Sequence, residues 1–209
     1  TDSAADKAAS DYADDYFNQW YAKPLFDAQY PSINEQLPKD QQPVIFKDDM
    51  EIISHPLDFL GVNFYTRAVY SHDDNEKFKE MPAREPRTDI GWEIYPDAFT
   101  ALLTSLNEKY ILPPIYITEN GAAMADKIVD DEVLDNDRIS YYQSHLNAVH
   151  CAIEKGVNVQ GYFAWSLMDN FEWAEGYTKR FGIVYVNYET QKRTIKASGL
   201  AYKDLISNR

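Results

Sequence analysis

Hydrophobic residues recur along the chain with two different spacings, and the alternation of these spacings predicts its secondary structure. Between Asp2 and Tyr21 an apolar side chain returns every four positions, which indicates an amphipathic helix that ends before Pro24. The same spacing, bounded by proline or glycine, predicts three further helices: Pro96 to Tyr110, about Asp137 to Gly156, and Ile195 to Ser207.

Short continuous apolar runs lie between the helices and predict strands that are covered on both faces. These runs are Asp58 to Thr66, Ile115 to Thr118 and Asn158 to Met168. Helices and strands therefore alternate, which favours parallel strands joined by right-handed crossovers. A sheet of three strands would leave its edges unpaired, so we expect further strands from another polypeptide.

Two stretches of the chain lack a regular pattern. Residues 23–47 contain four prolines and predict a long surface connection, followed by a short helix around Asp48 to Ser54. Residues 71–89 are rich in charge and predict a loop.

Composition narrows the class of protein. With 209 residues and 44% hydrophobic content, one large domain spanning the chain is expected. The net charge of −14 argues against nucleic-acid or anionic membrane partners. The one cysteine, Cys151, excludes a disulfide framework and favours a reducing, cytoplasmic compartment. No apolar run reaches the roughly 20 residues of a membrane span, and no signal-peptide core is visible.

Histidine placement argues against a metal site. His145 and His150 are five residues apart on a predicted helix, so their side chains diverge, and His55 and His72 fall in predicted loops. We therefore expect neither a metal nor a cofactor.

The stretch IYITENGAA, residues 115–123, places the carboxylate Glu119 where an apolar strand ends. One interpretation is a hairpin with its turn at Asn120-Gly121. The other is a catalytic carboxylate at the carboxyl end of a parallel barrel strand. The residues that follow do not alternate like a returning strand and lead to a helix, which favours the second interpretation.

The carboxyl ends of the three predicted strands supply a set of polar and aromatic side chains: Asn63, Tyr65, Glu119, Trp165, Glu172 and Trp173. Carboxylates, an amide and indole rings together are typical of a sugar-binding site. Tyr65 could donate a hydrogen bond to Glu119 and hold it ionised, as a nucleophile requires. Packing in the core remains the alternative for Trp165, whereas an unpaired Glu172 among apolar neighbours would be costly.

Several linked motifs, in order GVNFYT, GWEIYP, IYITENGAA, AWSLMDNFEW and RFGIVYV, resemble the C-terminal half of a family 1 glycoside hydrolase. This is the retaining β-glucosidase family, and the resemblance covers essentially all 209 residues. It implies the family's TIM (β/α)₈ barrel, an α/β fold. This chain, 1–209, would be the C-terminal portion of that single catalytic barrel, about strands 6 to 8 with their helices, and the N-terminal portion is expected outside it.

The resemblance also implies a role for each site residue. Glu119 would be the catalytic nucleophile and Tyr65 its hydrogen-bonding partner. The sugar would be bound by the remaining residues: Asn63 along the subsite, Trp165 as stacking platform, Glu172 and Trp173 on the far hydroxyls, Phe181 near O6, and Trp92 toward the aglycone. The intact Phe-Glu-Trp sequence implies an unphosphorylated substrate.

One family motif is missing. The acid/base in this family lies in a T-x-N-E-P motif that the chain lacks, because Asn34-Glu35-Gln36 has neither the Thr nor the Pro and falls in the predicted connection. The sequence Arg84-Glu85-Pro86-Arg87 contains a Glu-Pro pair, but it also falls in a predicted loop. An isolated chain is therefore expected to be inactive or very weak.

The expected function is hydrolysis of terminal β-D-glucosides or short β-linked oligosaccharides, with the N-terminal half of the barrel as a second chain. Two alternatives remain open. The chain could be a carbohydrate-binding half-domain without catalysis, or a structural half-barrel that self-associates through its open edges.

Overall fold

The computed structural model describes residues 3–208, and the chain divides into two compact units. The first unit comprises Thr1–Asp58, Ala68–Ala83 and Glu108–Leu112, and the second comprises Phe59–Arg67, Arg84–Asn107 and Pro113–Arg209.

The first unit is mainly helical. Its helices are α1 (Ala4–Asp14), a π-helical turn (Asp15–Gln19), α2 (Trp20–Asp27), α3 (Ile33–Gln36) and α4 (Asp49–Ile53). The helix α1 begins at Ser3, whose hydroxyl accepts a hydrogen bond of 3.0 Å from the amide of Asp6. The short helix predicted around Asp48 is confirmed as α4.

The prediction that the first helix ends before Pro24 is wrong, because Pro24 lies inside α2. The π-helical turn just before α2 already departs from the regular hydrogen-bond ladder. Proline has no backbone N–H to donate, and here that missing donor falls next to a stretch where the ladder is already irregular. The sequence Asn34-Glu35-Gln36 also lies in a helix, α3, rather than in a loop.

The charged loop predicted at 71–89 contains an antiparallel hairpin of β2 (Tyr70–Asp73) and β3 (Lys77–Glu80). His72 therefore lies in a strand. The turn is held by Asp73, whose side chain accepts hydrogen bonds of 2.8 and 3.0 Å from the amides of Asn75 and Glu76. Phe17 of the π-helical turn stacks on Tyr70 with ring centroids 5.9 Å apart, and this packing orders a hairpin whose outward side chains are charged.

The second unit contains a three-stranded parallel sheet of β1 (Leu60–Asn63), β4 (Ile115–Asn120) and β5 (Val159–Ala164), in the order β1-β4-β5. Its helices are α5 (Pro96–Lys109), whose last two residues belong to the first unit, α6 (Asn136–Glu154) and α7 (Ala197–Ser207). The three predicted helices and the parallel arrangement are confirmed. A short antiparallel pair, β6 (Val184–Val186) and β7 (Arg193–Ile195), was not predicted.

The core of the second unit is formed by side chains of β4, of α5 and of the residue after β1. Ile115 and Ile117 of β4 are almost completely buried, as are Phe99 and Leu103 of α5. Phe64, just after β1, stacks on Phe99 with ring centroids 4.3 Å apart. These contacts bury large apolar side chains and fix where β1 and β4 end.

Candidate active site

The carboxyl ends of the three parallel strands meet at one edge of the sheet and bring predicted site residues together. In the ladder Asn63 lies opposite Glu119, and Asn120 lies opposite the residue that precedes Trp165. The Asn63 side chain accepts a hydrogen bond of 2.7 Å from the hydroxyl of Thr118. Asn63 is exposed, so it faces open space next to Glu119 in the sheet.

Tyr65 and Glu119 are in direct contact. The phenol of Tyr65 donates a hydrogen bond of 2.6 Å to Oε2 of Glu119, which is the contact expected from the sequence. Burial raises the pKa of Tyr65 far above its ordinary value, and the hydrogen bond to the Glu119 carboxylate raises it further. The phenol therefore keeps its proton and acts as a donor.

The path by which Tyr65 reaches Glu119 differs from the prediction. A strand that ran from Asp58 to Thr66, as predicted, would place Asn63 and Tyr65 on one face, but β1 ends at Asn63 and the ladder shifts register there. Tyr65 lies in the bend that follows, where its carbonyl accepts a hydrogen bond of 3.2 Å from the hydroxyl of Tyr141. The bend, rather than strand alternation, directs the phenol to the carboxylate.

Three aromatic rings form a wall around this contact. The centroid of the Tyr65 ring lies 5.4 Å from that of Trp92 and 6.0 Å from that of Phe181, and the last two rings are 5.9 Å apart. Phe181 is almost fully buried, and Trp92 is half-buried. The wall therefore includes both residues that the resemblance assigned to the rim of a sugar pocket.

Asn120 supports the site and was not predicted to do so. It is fully buried, and its Nδ2 donates to the carbonyl of Phe64 at 2.7 Å and to the hydroxyl of Tyr141 at 3.1 Å. Its Oδ1 accepts a hydrogen bond of 2.5 Å from Tyr162 of β5. One amide thus ties β4 to both neighbouring strands directly beside Glu119. In the sequence, Asn120 is only a polar residue before a glycine, and such a pair also indicates a turn.

Trp165 is held against the end of β4. Its amide donates to the carbonyl of Asn120 at 2.8 Å, and its own carbonyl accepts from the hydroxyl of Tyr142 at 3.2 Å. A β-carbon on Gly121 would lie 1.8 Å from the Trp165 carbonyl oxygen, so this close approach requires glycine. The Asn120-Gly121 pair is not a hairpin turn, because β4 pairs in parallel with both neighbours.

Glu172 and Trp173 lie beyond Trp165 in the connection to β6. Glu172 is half-buried, and burial raises its pKa, with repulsion from Glu119 and then from Glu175 adding to the effect. Its apolar neighbour in sequence, Phe171, is 57% exposed, and Trp173 is 83% exposed. Glu172 is therefore not enclosed by the residues around it in sequence, and both Glu172 and Trp173 are available to a ligand.

The arrangement provides a hydrogen-bonded carboxylate at the end of a buried strand, a second carboxylate that interacts with it electrostatically, and aromatic surfaces beside both.

Within residues 3–208 no group of three or more His, Cys, Asp or Glu side chains is placed to hold a metal ion. No helix in the same range combines the length and apolar character that a membrane span requires.

Sequence comparison relates the chain to known enzymes. It matches the model of glycosyl hydrolase family 1 along residues 1–209. A β-glucosidase of an Agrobacterium species is 44% identical over 214 residues, which cover 99% of this chain and 46% of that protein. β-Glucosidase A of Thermotoga maritima is 42% identical over 197 residues, which cover 92% of this chain and 44% of that protein. The chain spans about half the length of the curated relatives it matches.

Structural comparison agrees. The virulence factor SghA of Agrobacterium tumefaciens, solved in complex with its substrate analog salicin, is 43% identical and superposes with a TM-score of 0.94. The superposition covers 98% of this chain and 46% of that one. The chain therefore has the α/β fold of one part of that larger structure.

Proposed function

Because the chain belongs to glycosyl hydrolase family 1, we propose that the complete protein hydrolyses terminal β-D-glucosides with retention of configuration. This chain, an α/β fragment of the family's TIM barrel, supplies the nucleophile and much of the sugar subsite. The observation that carries the proposal is the 2.6 Å hydrogen bond from Tyr65 to Glu119 at the carboxyl end of β4. Barrel enzymes hold their catalytic groups at that end of the strands.

In this proposal Glu119 attacks the anomeric carbon of the sugar. The hydrogen bond from Tyr65 to Oε2 orients the carboxylate, while Oε1 of Glu119 forms the new bond to carbon. The glycosidic bond breaks as an acid elsewhere protonates the leaving oxygen. The same group, now a base, deprotonates a water that hydrolyses the glycosyl ester and releases Glu119.

The acid/base comes from an N-terminal portion that carries the T-x-N-E-P motif, and this chain contributes about strands 6 to 8 of the barrel with their helices. A retaining glycosidase needs two carboxyl groups about 5 Å apart, and this sequence contains no such motif. The coverage of 46% of the Agrobacterium relative supports a second portion of similar length. The isolated chain should therefore be inactive or very weak.

The remaining site residues bind the sugar. Trp165 provides an indole face for the pyranose ring, and Asn63 and Glu172 take its hydroxyls. The other roles are those implied by the family: Trp173 on the far hydroxyls, Phe181 near O6, and Trp92 toward the aglycone. The exposure of Trp173 and the ring contact between Trp92 and Phe181 support these placements.

The proposed substrate is an unphosphorylated β-glucoside. A phosphate on the sugar would meet the Glu172 carboxylate and a chain whose net charge is −14, so both local and overall electrostatics disfavour it. The relative SghA was solved with salicin, an aryl β-glucoside, as its substrate analog, which supports the same class.

The test is to express this chain together with an N-terminal portion that carries T-x-N-E-P and to assay 4-nitrophenyl β-D-glucoside. Glu119→Gln should abolish turnover, whereas Glu189→Gln, a change at an exposed carboxylate, should not. In Glu119→Gly, added azide should restore release of nitrophenol and yield the α-glucosyl azide, because azide attacks from the side that Glu119 occupies. Undiminished turnover in Glu119→Gln would overturn the assignment.

A carbohydrate-binding half-domain without catalysis is the second candidate, favoured by the exposed Trp173 and the missing T-x-N-E-P motif. Saturable heat on titrating the chain alone with cellobiose would support it. Absence of heat at millimolar sugar would exclude it.

A structural role through self-association is the third candidate, because β1 and β5 are edge strands of their sheet. Light scattering distinguishes it from the others. A mass equal to one chain would count against it, and a homodimer without sugar binding would favour it.

A further inference from the structure

Six charged side chains form a buried network, and none of them has a role in the proposed chemistry. Three are carboxylates and three are cations: Asp126, Asp135, Asp169, Arg138, Arg180 and Lys196. The side chains of Arg138, Asp169 and Lys196 are fully buried, and that of Arg180 is 16% exposed. We call this group the buried charge network. Its formal charges balance.

The ion pairs of the network follow one another in a continuous chain. Arg138 donates to both oxygens of Asp126 at 2.9 and 2.8 Å, and Asp126 also accepts from Lys196 at 2.5 Å. Lys196 donates to Asp169 at 2.8 Å, and Arg180 donates to the other oxygen of Asp169 at 2.5 Å. Buried charges persist only when they are paired and hydrogen-bonded in this way, so losing one partner leaves another uncompensated.

Lys196 depends on its carboxylate partners to remain charged. Burial lowers its pKa, and repulsion from Arg138 lowers it further, while Asp169 and Asp126 oppose this. The positive charge of Lys196 is thus kept in the interior by two carboxylates from different parts of the chain.

Asp169 connects the network to the segment that carries the sugar-binding candidates. It lies within residues 165–181, between Trp165 and Glu172, and its side chain also accepts from the amide of Gly182 at 3.0 Å and from that of Val186 at 3.3 Å. Between Leu167 and Trp173 the segment has few apolar anchors, because Leu167, Phe171 and Trp173 are 64%, 57% and 83% exposed. The side-chain hydrogen bonds of Asp169 add to the backbone hydrogen bonds that join residues 166–169 to residues 181–184.

The other end of the network reaches the strand of Glu119. Arg138 donates from Nε to the carbonyl of Ala122 at 3.2 Å, three residues after Glu119, and from Nη2 to the carbonyl of Arg180 at 2.8 Å. The network thus joins the end of β4 to the end of the segment 165–181, next to Phe181.

We propose that Asp169 and Lys196 are positioning residues, which hold the segment 165–181 so that Trp165, Glu172 and Phe181 face the sugar bound beside Glu119. This inference rests on the proposed function for its kinetic consequence. Its structural consequence, a released segment in variants that break the Asp169–Lys196 pair, does not depend on activity.

The first test uses this chain alone. Trypsin cleaves after Lys179 and Arg180, which lie inside the segment 165–181. In Asp169→Asn the rate of cleavage there should rise at least tenfold relative to the unmodified chain. Asp131→Asn is the matched control, because it removes the carboxylate of an exposed pair with Lys192. An unchanged cleavage rate in Asp169→Asn would overturn the inference, whether or not the enzyme is active.

The second test uses the complete enzyme and separates positioning from general destabilisation. Asp169→Asn should raise KM for 4-nitrophenyl β-D-glucoside about tenfold or more, with a smaller change in kcat. The same substitution should have a smaller further effect in a Glu172→Gln background, because one of the contacts it positions is already lost. Independent, multiplicative effects of the two substitutions would overturn the inference.

If Asp169→Asn does not fold, the double variant Asp169→Asn/Lys196→Met provides the same tests. It removes one carboxylate and one cation, so the charges of the network remain balanced while the tie to the segment is lost. We expect faster trypsin cleavage and a raised KM in this variant as well. Wild-type values for both would overturn the inference. An inactive complete enzyme with faster cleavage in the variants would refute the proposed function and leave the positioning role supported.

Discussion

A β-carbon on Gly121 would lie 1.8 Å from the carbonyl oxygen of Trp165. The backbone just after the Glu119 strand therefore touches the backbone that carries Trp165, and only a residue without a side chain permits this approach. Main-chain contact, not side-chain packing, therefore fixes the distance between the backbone next to the proposed nucleophile and the backbone of the proposed stacking platform.

Gly121→Ala should reduce the free energy of unfolding by about 3 kcal/mol or more, because the new methyl group meets backbone that cannot rotate away. Urea denaturation of the chain measures this. Gly91→Ala is the control, since Gly91 has a φ of 88° but nothing within 4 Å of an added β-carbon. Backbone strain alone should cost about 1–2 kcal/mol there. Equal losses in both variants would contradict a close approach at Gly121.

Tyr65→Phe should reduce kcat/KM of the complete enzyme about 10- to 100-fold, because a hydrogen bond to a charged group contributes about 1.5–3 kcal/mol. The phenylalanine ring keeps the contacts with Trp92 and Phe181, so the loss reports on the hydroxyl. Tyr177→Phe, at an exposed phenol, should leave kcat/KM unchanged.

Glu172→Gln should make the folded chain more stable at neutral pH. The pKa of Glu172 is raised by burial and by Glu119, so its contribution to stability is present below pH 4.5 and is lost as pH rises through the raised value. Glutamine carries no charge, and the advantage of the variant should grow across that window and then level off. Denaturation from about pH 4 to about pH 8 measures this. Glu189→Gln, in an exposed turn, is the control, and an advantage that does not change with pH would contradict the prediction.

His145 should make the chain sensitive to acid. Burial lowers the pKa of His145 to about 4 from 6.5, although its hydrogen bond to the carbonyl of Tyr141 opposes this. Between pH 6.5 and about 4 the unfolded chain binds a proton that the folded chain does not. The stability present above pH 6.5 is therefore lost as pH falls, by about 3 kcal/mol in total.

His145→Gln removes this proton and should flatten the dependence of unfolding free energy on pH in that window. The stacking of His145 on Tyr141 is also lost, so the variant should be less stable at neutral pH. His150→Gln, on the exposed face of the same helix, is the control and should keep the wild-type slope. A slope that persists in His145→Gln would assign the acid sensitivity to other groups.

The helices and the parallel sheet could be predicted because their residues carry the information locally. The stripes of α5, α6 and α7 recur at the helical period, and the runs around β1, β4 and β5 are continuously apolar. The hairpins lacked such a signal. The strand β3 has the sequence Lys-Phe-Lys-Glu, with one apolar residue. Its hairpin is stabilised by the side chain of Asp73 in the turn and by aromatic rings elsewhere in the first unit.

The candidate site was accessible from the sequence to the extent that its residues sit at strand ends. Glu119 follows from the end of the predicted strand, and its hydrogen bond with Tyr65 was expected, but the bend after Asn63 that directs Tyr65 to it was not. Asn120 was missed as a structural amide because its partners Phe64 and Tyr162 are 56 and 42 residues away.

The sequence by itself determined the order of helices and parallel strands, the family, and the placement of a carboxylate at the end of β4, because hydrophobic spacing and contiguous motifs are local properties of the chain. Only the tertiary structure decided which polar groups pair in the interior. Lys196 meets Asp126 and Asp169, which are 70 and 27 residues away, and no spacing rule connects them. A buried charge is tolerated only where the fold delivers its partner, so these pairings are a consequence of packing and become visible once the strands and helices are in place.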